Sequence, residues 1–152
     1  MVDKGYSCDY TSFGWVAVKA YPGDYTWEQA KTKCSQDGTN DFKAQLAAPR
    51  SSVENEWFVN KANELGVDEF WLGITDKDRE DTWKTQHGLP QNYFNWDSDL
   101  FGQQPSNTGG KEDCVTTNGR WGFKWNDSSC PSTKKLLCTR IHGKSLYPKQ
   151  AG

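Results

Sequence analysis

The apolar positions of this chain follow a helical period in its first half and shorter, strand-like runs in its second. In YTWEQAKTKC, residues 25–34, Trp27, Ala30 and Cys34 recur at spacings that place them on one helix face. Thr26, with Gln29 three residues on, reads as a capping box that opens this helix. RSSVENEWFVNKANELG, residues 50–66, reads as a second helix. Ser51 and Glu54 form its capping box, Phe58, Ala62 and Leu65 its inward stripe, and Gly66 its stop. Beyond Gly66 the texture changes. EFWLGIT, residues 69–75, is a short apolar strand. DCVTTNGRWGFKWND, residues 113–127, holds two strand-like runs around an Asn118-Gly119 turn, and KKLLCTRI, residues 134–141, is a final strand. Two helices followed by short antiparallel strands predict an α+β domain. Between Asp76 and Gly110 the chain is polar and rich in Gly, Asn and Asp. Loops of that length inside a compact domain usually carry function.

Composition narrows the class. The chain has 152 residues, which suits one domain. Hydrophobic residues make up only 34 %, yet there are eight Trp, six Tyr and seven Phe, the aromatic anchors that a disordered chain lacks. A net charge of -2 gives no support to a nucleic-acid partner. No run reaches membrane-spanning length. The opening Met1-Val-Asp-Lys-Gly lacks the apolar core of a signal peptide, so the chain reads as cytosolic or as a mature secreted chain with a starter Met. The five cysteines favour the second. None forms a CxxC pair, which disfavours a zinc knuckle or a thioredoxin-like site. Five cysteines in a small polar domain point to disulfides and an oxidising compartment. Four of them can pair in three ways, and the odd one raises the question of an intermolecular bridge.

The chain from Asp76 onward offers two clusters of hard oxygen ligands of the kind calcium takes. One is Gln104, Ser106, Glu112, Asn126 and Asp127; the other is Asp76, Glu80, Asn107 and Asp113. WLGITD (71–76), EDCV (112–115) and WND (125–127), followed by Cys130 and Cys138, resemble the C-type lectin domain. WEQAKTKC and LAAPRSSVENEWFV resemble that family's two helical segments, so the likeness covers about residues 8–141 of a single domain spanning 1–152.

The resemblance implies disulfides Cys34–Cys138 and Cys114–Cys130. It also implies a calcium ion held by the loop Gln104-Pro105-Ser106 together with Glu112, Asn126 and Asp127, and an auxiliary ion at Asp76, Glu80, Asn107 and Asp113. In that family, Glu-Pro-Asn in the loop goes with mannose-type sugars and Gln-Pro-Asp with galactose-type sugars. Gln-Pro-Ser is half of the second pattern and lacks its carboxylate. The sugar would be held by Gln104, Ser106, Glu112 and Asn126, with galactose-type glycans favoured over mannose-type. The usual stacking tryptophan is replaced by Thr108, which leaves Trp121 or Phe123 for that role, with Trp96 and Phe101 as further candidates.

Other features read more plainly. Trp71 and Trp125 are expected in the core. The only histidines, His87 and His142, carry no catalytic or zinc pattern, and no nucleophile–base pair suggests an enzyme. Asn126-Asp-Ser matches a glycosylation sequon, but a glycan there would abolish the metal site. Longer members of the family pair two N-terminal cysteines; here Ala20 takes the expected second position, which leaves Cys8 for a disulfide-linked homodimer. The expectation is a secreted, calcium-dependent carbohydrate-binding domain with no membrane partner. The alternative is a lectin-like domain that has lost calcium-dependent sugar binding and recognises a protein or another surface.

Overall fold

A computed structural model describes residues 6–11, 14–38, 42–79, 82–96 and 113–142; for Trp15, Phe42, Lys43, Trp121, Ile141 and His142 it describes the backbone alone. Among the described residues the α-helices and strands are, in chain order, β1 (Ser7–Thr11), β2 (Gly14–Ala20), α1 (Trp27–Ser35), β3 (Phe42–Leu46), α2 (Ser52–Leu65), β4 (Glu69–Thr75), β5 (Lys84–Thr85), β6 (Cys114–Asn118), β7 (Lys124–Ser128) and β8 (Lys135–His142). Among the described residues the strands form one sheet of order β1-β2-β8-β4-β6-β7, with β3 added to β8 and β5 to β4. This is the expected α+β architecture. One pair departs from the antiparallel expectation: β4 and β8 run parallel over Phe70–Lys135 and Trp71–Leu136.

Helix α1 forms as its sequence predicts. The Thr26 hydroxyl accepts the Gln29 amide at 3.2 Å and the Gln29 side chain accepts the Thr26 amide at 3.0 Å. Trp27, Ala30 and Cys34 are its buried face. Helix α2 starts at Ser51 as predicted, with its hydroxyl accepting the Glu54 amide. The reciprocal half of the box is different. The Glu54 carboxylate turns one residue further back and accepts both the amide and Nε of Arg50, at 3.2 and 3.0 Å. Glu54 is buried, and desolvation pushes its pKa up while Arg50 opposes that shift. The inward stripe is also corrected: Phe58 and Ala62 are buried, but Leu65 is 43 % exposed. Gly66 ends the helix in the left-handed region (φ 72°), and the reversal brings Val67 inward instead.

Four strands, β1, β2, β3 and the two-residue β5, have no counterpart in the sequence reading. Val16, Ala17 and Val18 are all buried, as are Ala44, Gln45 and Leu46, so these segments show no alternation of apolar and polar positions. One apolar cluster joins Val16, Val18, Phe58, Ala62, Leu72 and Trp125; a second gathers Ala17, Trp27, Cys34, Trp71, Leu136 and Cys138. Indole hydrogen bonds cross between elements: Trp27 Nε1 donates to Leu72 O at 2.8 Å and Trp71 Nε1 to Tyr25 O at 2.7 Å. Gly73 allows β4 to pass β3 at close range. A Cβ at this position would lie 2.8 Å from Leu46 O, a backbone atom that cannot swing away. Beside α1, the hydroxyls of Tyr6 and Tyr21 both donate to Asp37 Oδ2, at 2.7 and 2.5 Å. Burial and the Asp37 carboxylate raise both phenol pKa values, that of Tyr21 to about 12.

Both expected disulfides form. Cys34–Cys138 ties α1 to β8, with Cα atoms 5.2 Å apart; Cys114–Cys130 ties β6 to the loop before β8, with Cα atoms 5.3 Å apart. Cys8 is free. Its cross-strand partner on β2 is Ala17, whereas Ala20 pairs with Leu137 on β8; the position facing Cys8 is therefore Ala17 and not Ala20.

Candidate functional site

The site expected from sequence is divided by what the structure describes. Asn126 and Asp127 lie on β7, and Asp76 and Asp113 lie at the ends of β4 and β6. Gln104, Ser106, Asn107 and Glu112, with Glu80, fall outside the described residues. Among the described residues no group of three or more His, Cys, Asp or Glu side chains comes together.

The β6–β7 hairpin positions the described half. Its register sets Thr116 against Asn126 and Val115 against Asp127. The expected two-residue Asn118-Gly119 turn is replaced by a longer reversal. A 3-10 turn runs Gly119–Trp121, and Gly122 (φ 67°) and Phe123 (φ 58°) then both adopt the left-handed region. Phe123 is costly there because it carries a Cβ. Its amide donates to Asn118 O at 2.9 Å, and its carbonyl accepts from the hydroxyl of Thr117 at 2.9 Å and the amide of Asn95 at 3.2 Å. The Phe123 ring is 8 % exposed and packs toward Phe70, so it is a core side chain and offers no free face for stacking. The Trp121 side chain lies outside the described residues.

Along β7 burial alternates. Trp125 and Asp127 are each 0 % exposed, while Asn126 and Ser128 are half-buried. Trp125 belongs to the core, as expected, and so does Trp71. Its indole donates to Asn55 Oδ1 on α2 at 3.2 Å, and it meets Tyr93, Phe94 and Trp96 edge-to-face. A carboxylate fully withdrawn from water, as at Asp127, requires strong compensation from cations or hydrogen-bond donors.

β7 is the terminal strand of the sheet order, and its outer edge is met by residues 95 and 96. Trp125 N donates to Asn95 O at 2.7 Å, and Trp96 forms a parallel bridge with Trp125. At the other end, Asp76 N donates to Asp113 O at 3.2 Å and Thr75 Oγ1 donates to the same carbonyl at 2.6 Å. The structure thus joins the backbones of Asp76 and Asp113, two expected members of the auxiliary cluster. The ligands expected from sequence are all oxygen donors, without His or Cys. Such a set, with buried carboxylates at Asp76 and Asp127, fits a hard cation such as calcium.

The Lectin C-type domain family model matches residues 23–140. The chain belongs to the C-type lectin domain family. The chain is 29 % identical over 138 residues to the C-type lectin lectoxin-Enh5 of Pseudoferania polylepis, covering 89 % of this chain and 84 % of that one. Among solved structures, the C-type lectin CEL-I from Cucumaria echinata superposes with a TM-score of 0.73 at 22 % identity, over 84 % of this chain and 91 % of its own. The cow C-type carbohydrate-recognition domain of CD23, solved in the presence of a GlcNAc2Man3 oligosaccharide, superposes with a TM-score of 0.71 at 25 % identity, over 93 % and 96 %. The domain is therefore a non-enzymatic binding module of the general carbohydrate-binding class. Among the described residues, no helix is long and apolar enough to cross a membrane.

Proposed function

We propose that this C-type lectin domain is a secreted, calcium-dependent carbohydrate-binding lectin of galactose-type preference. The observation that carries the reading is the placement of the described residues that flank 97–112. Trp96 is bridged to Trp125 on β7, and Asp113 precedes β6, which pairs with β7. Asn126 and Asp127 lie on that same strand β7.

In this reading Gln104, Ser106, Glu112, Asn126 and Asp127 hold one calcium ion, and Asp76, Glu80, Asn107 and Asp113 hold an auxiliary one. Bound calcium would supply open coordination positions for two vicinal sugar hydroxyls. The protein's own part is to orient those hydroxyls. Glu112 and Asp127 only accept hydrogen bonds, whereas the amides of Asn126 and Gln104 donate. A donor at Gln104 opposite Asn126 favours galactose-type sugars over mannose-type ones. Glu112 and Asp127 balance the ion's charge without excess. Calcium affinity is expected roughly in the 10⁻⁴–10⁻³ M range of extracellular modules.

The test is retention on immobilised galactose followed by a glycan array, each with calcium and with a chelator. Elution by chelator and calcium-dependent galactosides on the array are the expected outcome. Ser106, where a carboxylate would complete the galactose pattern, favours the one competing reading, a domain that recognises a protein or another surface without calcium. Retention unaffected by chelator, or no glycan bound at all, would establish that reading instead.

Cys8, left outside both disulfides on the terminal strand β1, is proposed to link two copies. Two shallow sites on one particle bind far more tightly than one. A non-reducing gel should show a band of twice the monomer mass that collapses on reduction. A monomer band alone, unchanged by reductant, would dismiss the dimer.

A further inference from the structure

We infer that Asn95 is the positioning residue of the metal and sugar site, an inference that rests on the calcium-dependent reading above and adds to it a residue outside both ligand clusters. Three hydrogen bonds converge on Asn95 from three consecutive residues of the β6–β7 return. Its amide donates to Phe123 O at 3.2 Å, its Oδ1 accepts from Lys124 Nζ at 3.3 Å, and its carbonyl accepts the Trp125 amide at 2.7 Å. Asn126 and Asp127 follow immediately, so Asn95 sets the register and tilt at which the ligand pair enters the site.

The need for a clamp is visible in the backbone. Phe123 holds φ at 58°, an unfavourable conformation for a residue with a Cβ, and persists there because its surroundings fix it. The Phe123 carbonyl is gripped from two sides, by Thr117 Oγ1 from within the hairpin and by the Asn95 amide from outside it. The Thr117 bond is internal to the β6–β7 hairpin; the Asn95 bond ties the hairpin to the rest of the chain. Asn95 also lies one residue before Trp96, the anchor from which segment 97–112 departs. Asn95 therefore joins the strand bearing Asn126 and Asp127 to the last described residues before position 97.

The experiment compares wild type, Asn95→Ala and Lys124→Ala. Asn95→Ala keeps the backbone bond to Trp125, so the fold should persist. Two readouts are taken: amide hydrogen exchange in calcium-free protein, and calcium titration followed by tryptophan fluorescence. In Asn95→Ala, exchange should accelerate at the amides of residues 124–127 while β4 and β8 stay protected. Calcium affinity should weaken by about ten- to a hundred-fold, the usual cost of losing an outer-shell partner. Lys124→Ala, which removes one of the three bonds and leaves those to Phe123 and Trp125, should move both readouts in the same direction but by less. A uniform rise in exchange across the whole sheet would reduce Asn95 to a general stabiliser and overturn the inference, as would calcium affinity unchanged in a folded Asn95→Ala chain. Wild type that binds no calcium counts against the proposed function, and the exchange comparison still decides the positioning role.

Discussion

Replacing Cys34 and Cys138 together by alanine is expected to lower the unfolding free energy by about 4–5 kcal/mol. The bridge joins residues 104 apart, so in the chain-entropy account it removes a large set of open conformations from the unfolded chain. Cys114–Cys130 spans only 16 residues and is worth about 3 kcal/mol on the same account. Location reinforces the order. Both sulfurs of the long bridge are buried in the cluster with Trp27, Trp71 and Leu136, and they join a helix to the strand that touches β2, β3 and β4. For a domain of this size the loss corresponds to a fall in Tm of about 10–15 °C. Thermal unfolding followed by circular dichroism, without reductant, reads both double variants side by side. If removing Cys114 and Cys130 proved the more damaging change, chain entropy would not be the source of the stability.

Why a chain so poor in aliphatic residues holds together is answered by this pair of bridges and by the indoles. Trp27, Trp71 and Trp125 are each fully buried, and each indole N–H finds an oxygen at least 45 residues away in the chain. A buried Trp without such a partner would lose much of what its apolar area contributes. The result is a framework of α1, α2 and the sheet held by two disulfides and three buried indoles.

Most of that framework could be read from residue order, and the parts that could not have identifiable causes. Helix α1 was legible because Thr26 and Gln29 satisfy each other locally, with no help from the rest of the chain. In α2 the same local rule placed the start correctly but misplaced the Glu54 carboxylate, because Arg50 competes for it one residue upstream. Leu65 failed as a core position for a related reason. The left-handed Gly66 reverses the chain so sharply that Val67, not Leu65, takes the buried place. Strands β2 and β3 were invisible to period-two reading because elements cover both of their faces. The family likeness carried the disulfide pairing, which spacing alone left three ways open. The register of β1 was beyond it, since nothing local distinguishes Ala17 from Ala20 as the neighbour of Cys8. For the candidate site, the oxygen-bearing residues could be named from the sequence, and the contacts of Asn95 could not. Asn95 binds its hairpin 28 and 29 residues away, and no local pattern announces a contact over that separation.

Asp127→Asn is expected to abolish calcium-dependent sugar retention while leaving a folded chain. Asparagine matches aspartate in shape and keeps one carbonyl oxygen, so β7 and its pairing with β6 should survive. What changes is charge. In the proposed site Glu112 and Asp127 together neutralise one divalent ion, and the substitution leaves it with half of that compensation. Asp127 is 0 % exposed, so solvent does little to screen the loss. Calcium affinity should fall by at least the ten- to hundred-fold that loss of an outer-shell partner costs. The measurement is the rise in Tm on adding calcium. With ~10 mM calcium and an affinity of roughly 10⁻⁴–10⁻³ M, wild type should gain about 1.4–2.7 kcal/mol by mass action. That gain corresponds to roughly 3–10 °C, and the variant should keep at most about half of it. Retention on immobilised galactose should disappear in parallel, because the ion and the sugar share the same side chains. A variant that gains the full increment and still elutes with chelator would move the ion to other residues, with Asp76 and Asp113 as the first to replace.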